Sequence, residues 1–311
     1  MFQIKQPSQI IIGENSSKEF QFPENCLVIT SSGSKKRKWL EHLEIENYLL
    51  FDDVEPNPSI KTTERIIEKF SEDEISCIVG LGGGSSLDVS KFIAHKLKKK
   101  KLLIPTTFGS GSEVTRIAVL NVNGKKTSFH NDDMFADTAI IDPFFIQNTP
   151  LNIIKNSAID ACAQCTEGFD SKLSNSYTKF LCNNAFDILE DALLNDKYEL
   201  LPLGSLISGL GFGNCSTTLG HALSYVFSNE GYSHGHALAF TTQMAHKFNS
   251  SCYESRFKNI VETLGFEKIH LSQNFSDASD LILNDHKHID NNPKPIMKEN
   301  IIKILETINS L

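Results

Sequence analysis

No apolar run in this 311-residue chain is long enough to span a bilayer, which takes about 20 consecutive apolar residues. The amino-terminal stretch from Met1 to Ser17 lacks the apolar core of a secretory signal. Basic charge is also scarce: the formal net charge is -8, and general nucleic-acid binding wants a basic face. Two short clusters, Lys35 to Lys38 and Lys98 to Lys101, do not overturn that balance. The second reads as a solvated helix end suited to the negative pole of the helix dipole. The seven cysteines show no disulfide-like spacing, so a reducing, cytoplasmic location is expected. Cys162 and Cys165 form a Cys-x-x-Cys pair with no second pair for zinc and no strand leading into it for redox work, so they read as small core residues. No internal repeat and no low-complexity segment is present.

What is present is an alternation of apolar runs with helical patterns. Cys26 to Ser32, Tyr48 to Val54, Ile75 to Gly82, Leu102 to Pro105 and Ala139 to Pro143 read as strands. A loop with an amphipathic helix over residues 56–73 and a helical stretch over 87–100 fall between them. Strand and helix in alternation predict a parallel sheet with crossover helices. After Pro150 long helical patterns dominate through to Leu311. The expected fold class is therefore α/β: an N-terminal parallel-sheet nucleotide-binding domain over residues 1–145, then an all-helical C-terminal domain over 146–311.

Two loops follow predicted strands. In "GLGGGSSLD", Gly80 to Asp88, an apolar strand runs into glycines that open a helix. Glycine allows close backbone approach, and a helix N-terminus offers free amides to an anion. Gly83, Gly84 and Ser85 are thus candidates to bind a dinucleotide pyrophosphate, although the spacing is not that of the common dinucleotide fingerprint. A tight strand-to-helix turn would need the same glycines. The second loop, "PTTFGSGSEVT", spans Pro105 to Thr115. Loops at the carboxyl ends of neighbouring parallel strands converge on a ligand, which adds Asp88, Thr106, Thr107 and Ser112 as supporting contacts. Ser31 stands at the first predicted strand's turn with Lys35 to Lys38 close behind, where an acidic residue would repel a 2'-phosphate. That favours NADPH over NADH.

Asp160 and Gln164 lie one helical turn apart, so they share a face. His221 opens a later helical stretch and His234 precedes Gly235. One carboxylate, one amide oxygen and two imidazoles suit a divalent metal. A buried Asp or His is also a common hydrogen-bonded core residue, and spacing alone leaves both readings open.

Taken together, "GGGSSLDVSK", "PTTFGSGSEVT", "IDACAQCTEG" and the "GHA…HGHA" segment resemble the iron-dependent (group III) alcohol dehydrogenases, with "VEPNPS" and "NNPKPIMKENIIKIL" in the expected order. The resemblance covers essentially the whole chain. It implies a nucleotide-binding domain, a helical domain and an active-site cleft between them. It places metal ligands at Asp160, Gln164, His221 and His234, with Fe2+ favoured over Zn2+, and a cofactor-side lysine at Lys126. Gln164 stands where the commonest pattern has His, and Tyr225 where many members have a second active-site His. These departures are similar to a subgroup that reduces phosphonoacetaldehyde to 2-hydroxyethylphosphonate. Tyr225 and His236 then become candidates for proton handling, and Arg116 the candidate cation for the phosphonate, since guanidinium binds phosphoryl oxygens bidentately. The expected partner is a small aldehyde; a homodimer is compatible, and neither nucleic acid nor membrane is expected. The rival readings are a general primary-alcohol or lactaldehyde-type dehydrogenase and a non-catalytic nucleotide-binding protein.

Overall fold

A computed structural model describes residues 1–147 and 149–311. The chain divides into two compact units, Ile4–Pro150 and Leu151–Leu311, the second joined by Met1–Gln3. Among the described residues no helix is long and apolar enough to cross a membrane.

The first unit is built on a six-stranded parallel sheet. Its strands are β1 (Gln9–Ile12), β2 (Leu27–Ile29), β3 (Leu49–Phe51), β4 (Cys77–Gly82), β5 (Lys100–Pro105) and β8 (Thr138–Ile141), in the order β1-β8-β5-β4-β2-β3. β6 (Ile117–Val122) and β7 (Lys125–His130) form a separate antiparallel hairpin. Its Asn123-Gly124 turn has positive φ at both residues, the conformation that a two-residue hairpin demands and that Asn-Gly supplies. The helices are α1 (Ser16–Glu19), α2 (Ser32–Lys36), α3 (Trp39–His42), α4 (Ile60–Lys69) and α5 (Gly84–Leu97). Every residue of β4 is buried, as expected of a central parallel strand covered on both faces. A Cβ on Gly80 would lie 2.7 Å from Ser90 Oγ, so α5 crosses β4 at a distance only glycine permits. Two strand groups escaped the sequence reading. β1 is a short edge strand paired with β8, and the hairpin lies in a stretch to which the sequence assigned no element.

The second unit is helical: α6 (Leu151–Asp170), α7 (Ser176–Leu194), α8 (Leu201–Phe212), α9 (Leu219–Asn229), α10 (His234–Asn249), α11 (Glu254–Leu264), α12 (Phe275–Leu283), α13 (His286–Ile289) and α14 (Lys298–Ser310). Asn175 and Thr178 close a reciprocal capping box at the start of α7. Cys162 and Cys165 are fully buried on α6, where they pack as small apolar residues.

Candidate metal centre and nucleotide loop

In the first unit Gly82 ends β4, Gly83 caps α5 in an extended conformation, and Gly84 begins the helix. A Cβ on Gly83 would sit 2.9 Å from Thr107 Oγ1, and one on Gly84 would sit 3.0 Å from Ser110 Oγ. The two candidate loops therefore abut, and Ser85 lies on the first turn of α5 beside them. Thr106 N donates to Gly82 O at 3.0 Å, which locks β5's end to β4's. The third strand end joins them through Ser31, whose hydroxyl caps α2 by accepting from Ser34 N at 3.4 Å, while Ser34 Oγ is 3.7 Å from a Cβ on Gly82.

Two predicted supporting residues face each other. Ser112 Oγ donates to Asp88 Oδ1 at 2.6 Å, and Val119 N donates to Asp88 Oδ2 at 3.0 Å. Buried Lys91 adds an ion pair to Asp88 Oδ1 at 3.1 Å and donates to the Ser112 carbonyl at 2.9 Å. Asp88 thereby pins the second loop and β6 to α5. Burial lowers the Lys91 ammonium pKa and raises the neighbouring Glu113 carboxyl to about 7. Lys126 lies on β7 opposite Asn121. Arg116 stands on the surface, where its guanidinium donates to Asp132 Oδ1 at 2.9 Å. Lys35 pairs with Asp52 at 2.5 Å, so part of the basic cluster after Ser31 is neutralised.

In the second unit three of the predicted residues meet. Asp160 on α6, His221 on α9 and His234 at the first position of α10 bring ligand atoms within 4.8 Å of one another. Asp160 Oδ1 lies 3.5 Å from His221 Nε2 and 3.9 Å from His234 Nε2. Gln164, one turn along α6, donates from Nε2 to the same Asp160 oxygen at 2.9 Å. Glycines flank the pair of histidines for a steric reason. A Cβ on Gly220 would fall 2.6 Å from Glu167 Oε1, and one on Gly235 would fall 2.0 Å from the Asn156 carbonyl oxygen. Both α9 and α10 press their starts against α6, and that contact aims the adjacent imidazoles at Asp160.

A residue absent from the sequence reading organises this cluster. Glu167, on the same helix as Asp160 and 1 % exposed, accepts a short hydrogen bond from His221 Nδ1, another from Gly220 N, and bonds from Thr218 Oγ1 at 3.0 Å and Thr218 N at 3.4 Å. Burial alone would raise its carboxyl, but the charge of His221 and their hydrogen bond reverse this and hold it at about 2. Burial alone would lower His221; Glu167 and Asp160 hold it up at about 9. An imidazole with Nδ1 fixed by a carboxylate presents Nε2 as the ligand atom, the arrangement common behind metal-bound histidines. The signal was available, since Glu167 follows Asp160 by two helical turns and faces the same way.

Tyr225 stacks on His234 at 6.1 Å and 13° between rings, and burial pushes its hydroxyl pKa upward. His236 is turned elsewhere. It donates from Nε2 to the Glu267 carbonyl at 2.5 Å and packs against Tyr232, Phe240 and Phe266, none of which belongs to the cluster.

One carboxylate oxygen, two imidazole nitrogens and an adjacent amide are a donor set for a divalent first-row metal, and the anchored His221 tautomer fits that use.

The iron-containing alcohol dehydrogenase profile matches residues 7–143, and the C-terminal profile of the Fe-containing alcohol dehydrogenase family matches residues 154–284. The chain belongs to the iron-containing alcohol dehydrogenase family. It is 28% identical over 254 residues to a long-chain-alcohol dehydrogenase 1 of Geobacillus thermodenitrificans, covering 72% of this chain and 64% of that one. It is 28% identical over 256 residues to a 4-hydroxybutyrate dehydrogenase of Clostridium kluyveri, covering 72% and 69%. The fold matches a sulfoacetaldehyde reductase of Bifidobacterium kashiwanohense in complex with NAD+, with a TM-score of 0.89 at 21% identity over 100% of this chain and 99% of that one. An iron-containing alcohol dehydrogenase of Thermotoga maritima matches with a TM-score of 0.88 at 24% identity, over 100% of each chain.

Proposed function

We propose that the protein is a metal-dependent, NAD(P)H-dependent reductase of a small aldehyde, with phosphonoacetaldehyde, reduced to 2-hydroxyethylphosphonate, as the substrate. The observation that carries the reading is the convergence of Asp160, His221 and His234 from three helices, with His221 anchored by Glu167. Asp160, Gln164, His221 and His234 hold the metal, Fe2+ in preference to Zn2+. The metal when bound supplies Lewis-acid polarisation of the aldehyde oxygen, and the nicotinamide supplies the hydride. The chain's own residues place these partners. Gly83, Gly84 and Ser85 offer backbone amides to the pyrophosphate, with Thr106 and Thr107 beside them. Asp88 and Ser112 hold those loops in register through their mutual hydrogen bond. Ser31 and the basic residues behind it favour NADPH. Tyr225 lies against His234 at the reacting end, whereas the hydrogen bond of His236 to the Glu267 carbonyl supports a packing role.

The phosphonate assignment rests on Gln164 and Tyr225 in place of histidines. A specific observation favours a second reading: Arg116, the cation proposed for the phosphonate, is paired with Asp132. A general primary-alcohol dehydrogenase needs no such cation. Rates on phosphonoacetaldehyde, acetaldehyde, propionaldehyde and lactaldehyde with NADPH and NADH test this. Phosphonoacetaldehyde is expected to give the highest kcat/KM, and equal or better turnover of the uncharged aldehydes would assign the second reading instead.

A further inference from the structure

A second buried imidazole stands beside the cluster and belongs to none of the roles above. His288, on α13, is 3 % exposed. Its ring lies 6.1 Å from that of His221 at 16°, and 5.7 Å from that of Tyr225 at 68°. Its ligand atoms are not among those that converge with Asp160, His221 and His234.

Its orientation is built. His288 Nδ1 donates to Asp285 Oδ2 at 2.6 Å. Asp285 is the N-cap residue of α13, and its side chain makes no capping bond to the helix backbone. The carboxylate that would ordinarily cap this turn is turned onto the imidazole instead. With Nδ1 as the donor, the neutral ring presents Nε2 as an acceptor. The bond to Asp285 is the one hydrogen bond the His288 side chain makes among the described residues, and Nε2 is not among the buried polar atoms sealed without a partner. Nε2 is therefore left without a protein hydrogen-bond partner among the described residues.

We infer that His288, oriented by Asp285, is a substrate-contacting residue whose Nε2 accepts the hydroxyl of the alcohol. The inference rests on the metal-dependent alcohol–aldehyde reading proposed above. It distinguishes the two reaction directions, because the alcohol carries a hydroxyl proton to donate and the aldehyde does not. His288→Phe keeps the ring's packing and removes the acceptor. It is expected to keep metal content and raise KM for the alcohol about tenfold, what one lost hydrogen bond is worth, with a smaller change for the aldehyde. Asp285→Asn is expected to show the same asymmetry more weakly.

The test measures both directions with ethanol and acetaldehyde, and with 2-hydroxyethylphosphonate and phosphonoacetaldehyde, alongside metal content. A second readout does not need turnover: the 15Nε2 resonance of His288 in zinc-loaded protein, assigned by its loss in His288→Phe. It is expected to shift as ethanol or 2-hydroxyethylphosphonate is added. A shift in protein without turnover would remove the reductase reading and leave the contact standing. Unchanged alcohol KM in a metal-replete His288→Phe variant, loss of metal from that variant, or a resonance indifferent to both alcohols would overturn the inference.

Discussion

At the residue scale the site turns on which polar atoms are held and by what. Asp160, His221 and His234 were named because their residue types can carry metal chemistry and the family resemblance placed ligands there, and the structure brings the three together. Glu167 was not singled out, because a glutamate in a helix has many ordinary uses and only the fold shows its bond to His221. Glu167→Gln keeps the shape and replaces an ionised acceptor by a neutral amide. Metal affinity is expected to fall about 10- to 100-fold, the usual consequence of losing such a partner; titration with Zn2+ against a chromophoric chelator measures it, and unchanged affinity would make Glu167 a packing residue. Gln164 sits against Asp160. Gln164→Leu is expected to lower metal occupancy and turnover together, with turnover partly restored by excess metal and NADPH affinity unchanged. Full occupancy and rate in that variant would limit the site to three protein ligands. The proposed placement of Arg116 illustrates the limit of reading by position: it follows a predicted site loop, yet its guanidinium ends in a surface pair with Asp132.

At the element scale, hydrophobic period and glycine punctuation predicted the central strands and the long helices, since these segments bury continuous apolar faces. The edge strand β1 was missed because a strand this short depends on its partner more than on its own pattern, and the β6–β7 hairpin because its strands are mostly half-buried and show no continuous apolar run. Close contact between elements is where single atoms decide. Gly235→Ala forces a Cβ to within 2.0 Å of the Asn156 carbonyl oxygen unless α10 moves from α6. Overpacking of this kind is expected to destabilise by about 3 kcal/mol or more, read from urea unfolding; a loss below about 0.5 kcal/mol, within the range of ordinary surface substitutions, would show that the two helices are loosely apposed.

The loop between β5 and β6 gives a pH signature. Burial raises the Glu113 carboxyl from 4.5 to about 7. A raised pKa means that the folded state binds the proton more tightly, so this stabilisation is full below 4.5 and is lost as pH rises through about 7. Glu113→Gln removes the titration and is expected to flatten stability across that window, by at most about 3 kcal/mol. Parallel stability–pH curves for the two proteins would contradict the assignment.

At the scale of the whole molecule, one unit carries the glycine loop and the other carries the carboxylate–imidazole cluster, and each matches its own half of the iron-containing alcohol dehydrogenase family. Family and fold class were readable because several weak motifs occur in one order along the entire chain. The substrate was less readable, because it depends on a few side chains whose partners only folding reveals. The central claim is that Asp160, His221 and His234 hold a metal required for aldehyde reduction, separately from nucleotide binding. The most direct test compares wild type with His234→Ala after anaerobic loading with Fe2+, measuring bound metal, NADPH affinity and phosphonoacetaldehyde reduction on the same samples. Wild type is expected to bind one ion and to lose activity on chelation and regain it on reloading. The variant is expected to lose metal and turnover while binding NADPH as before. Metal content and rate unchanged in His234→Ala would contradict the account.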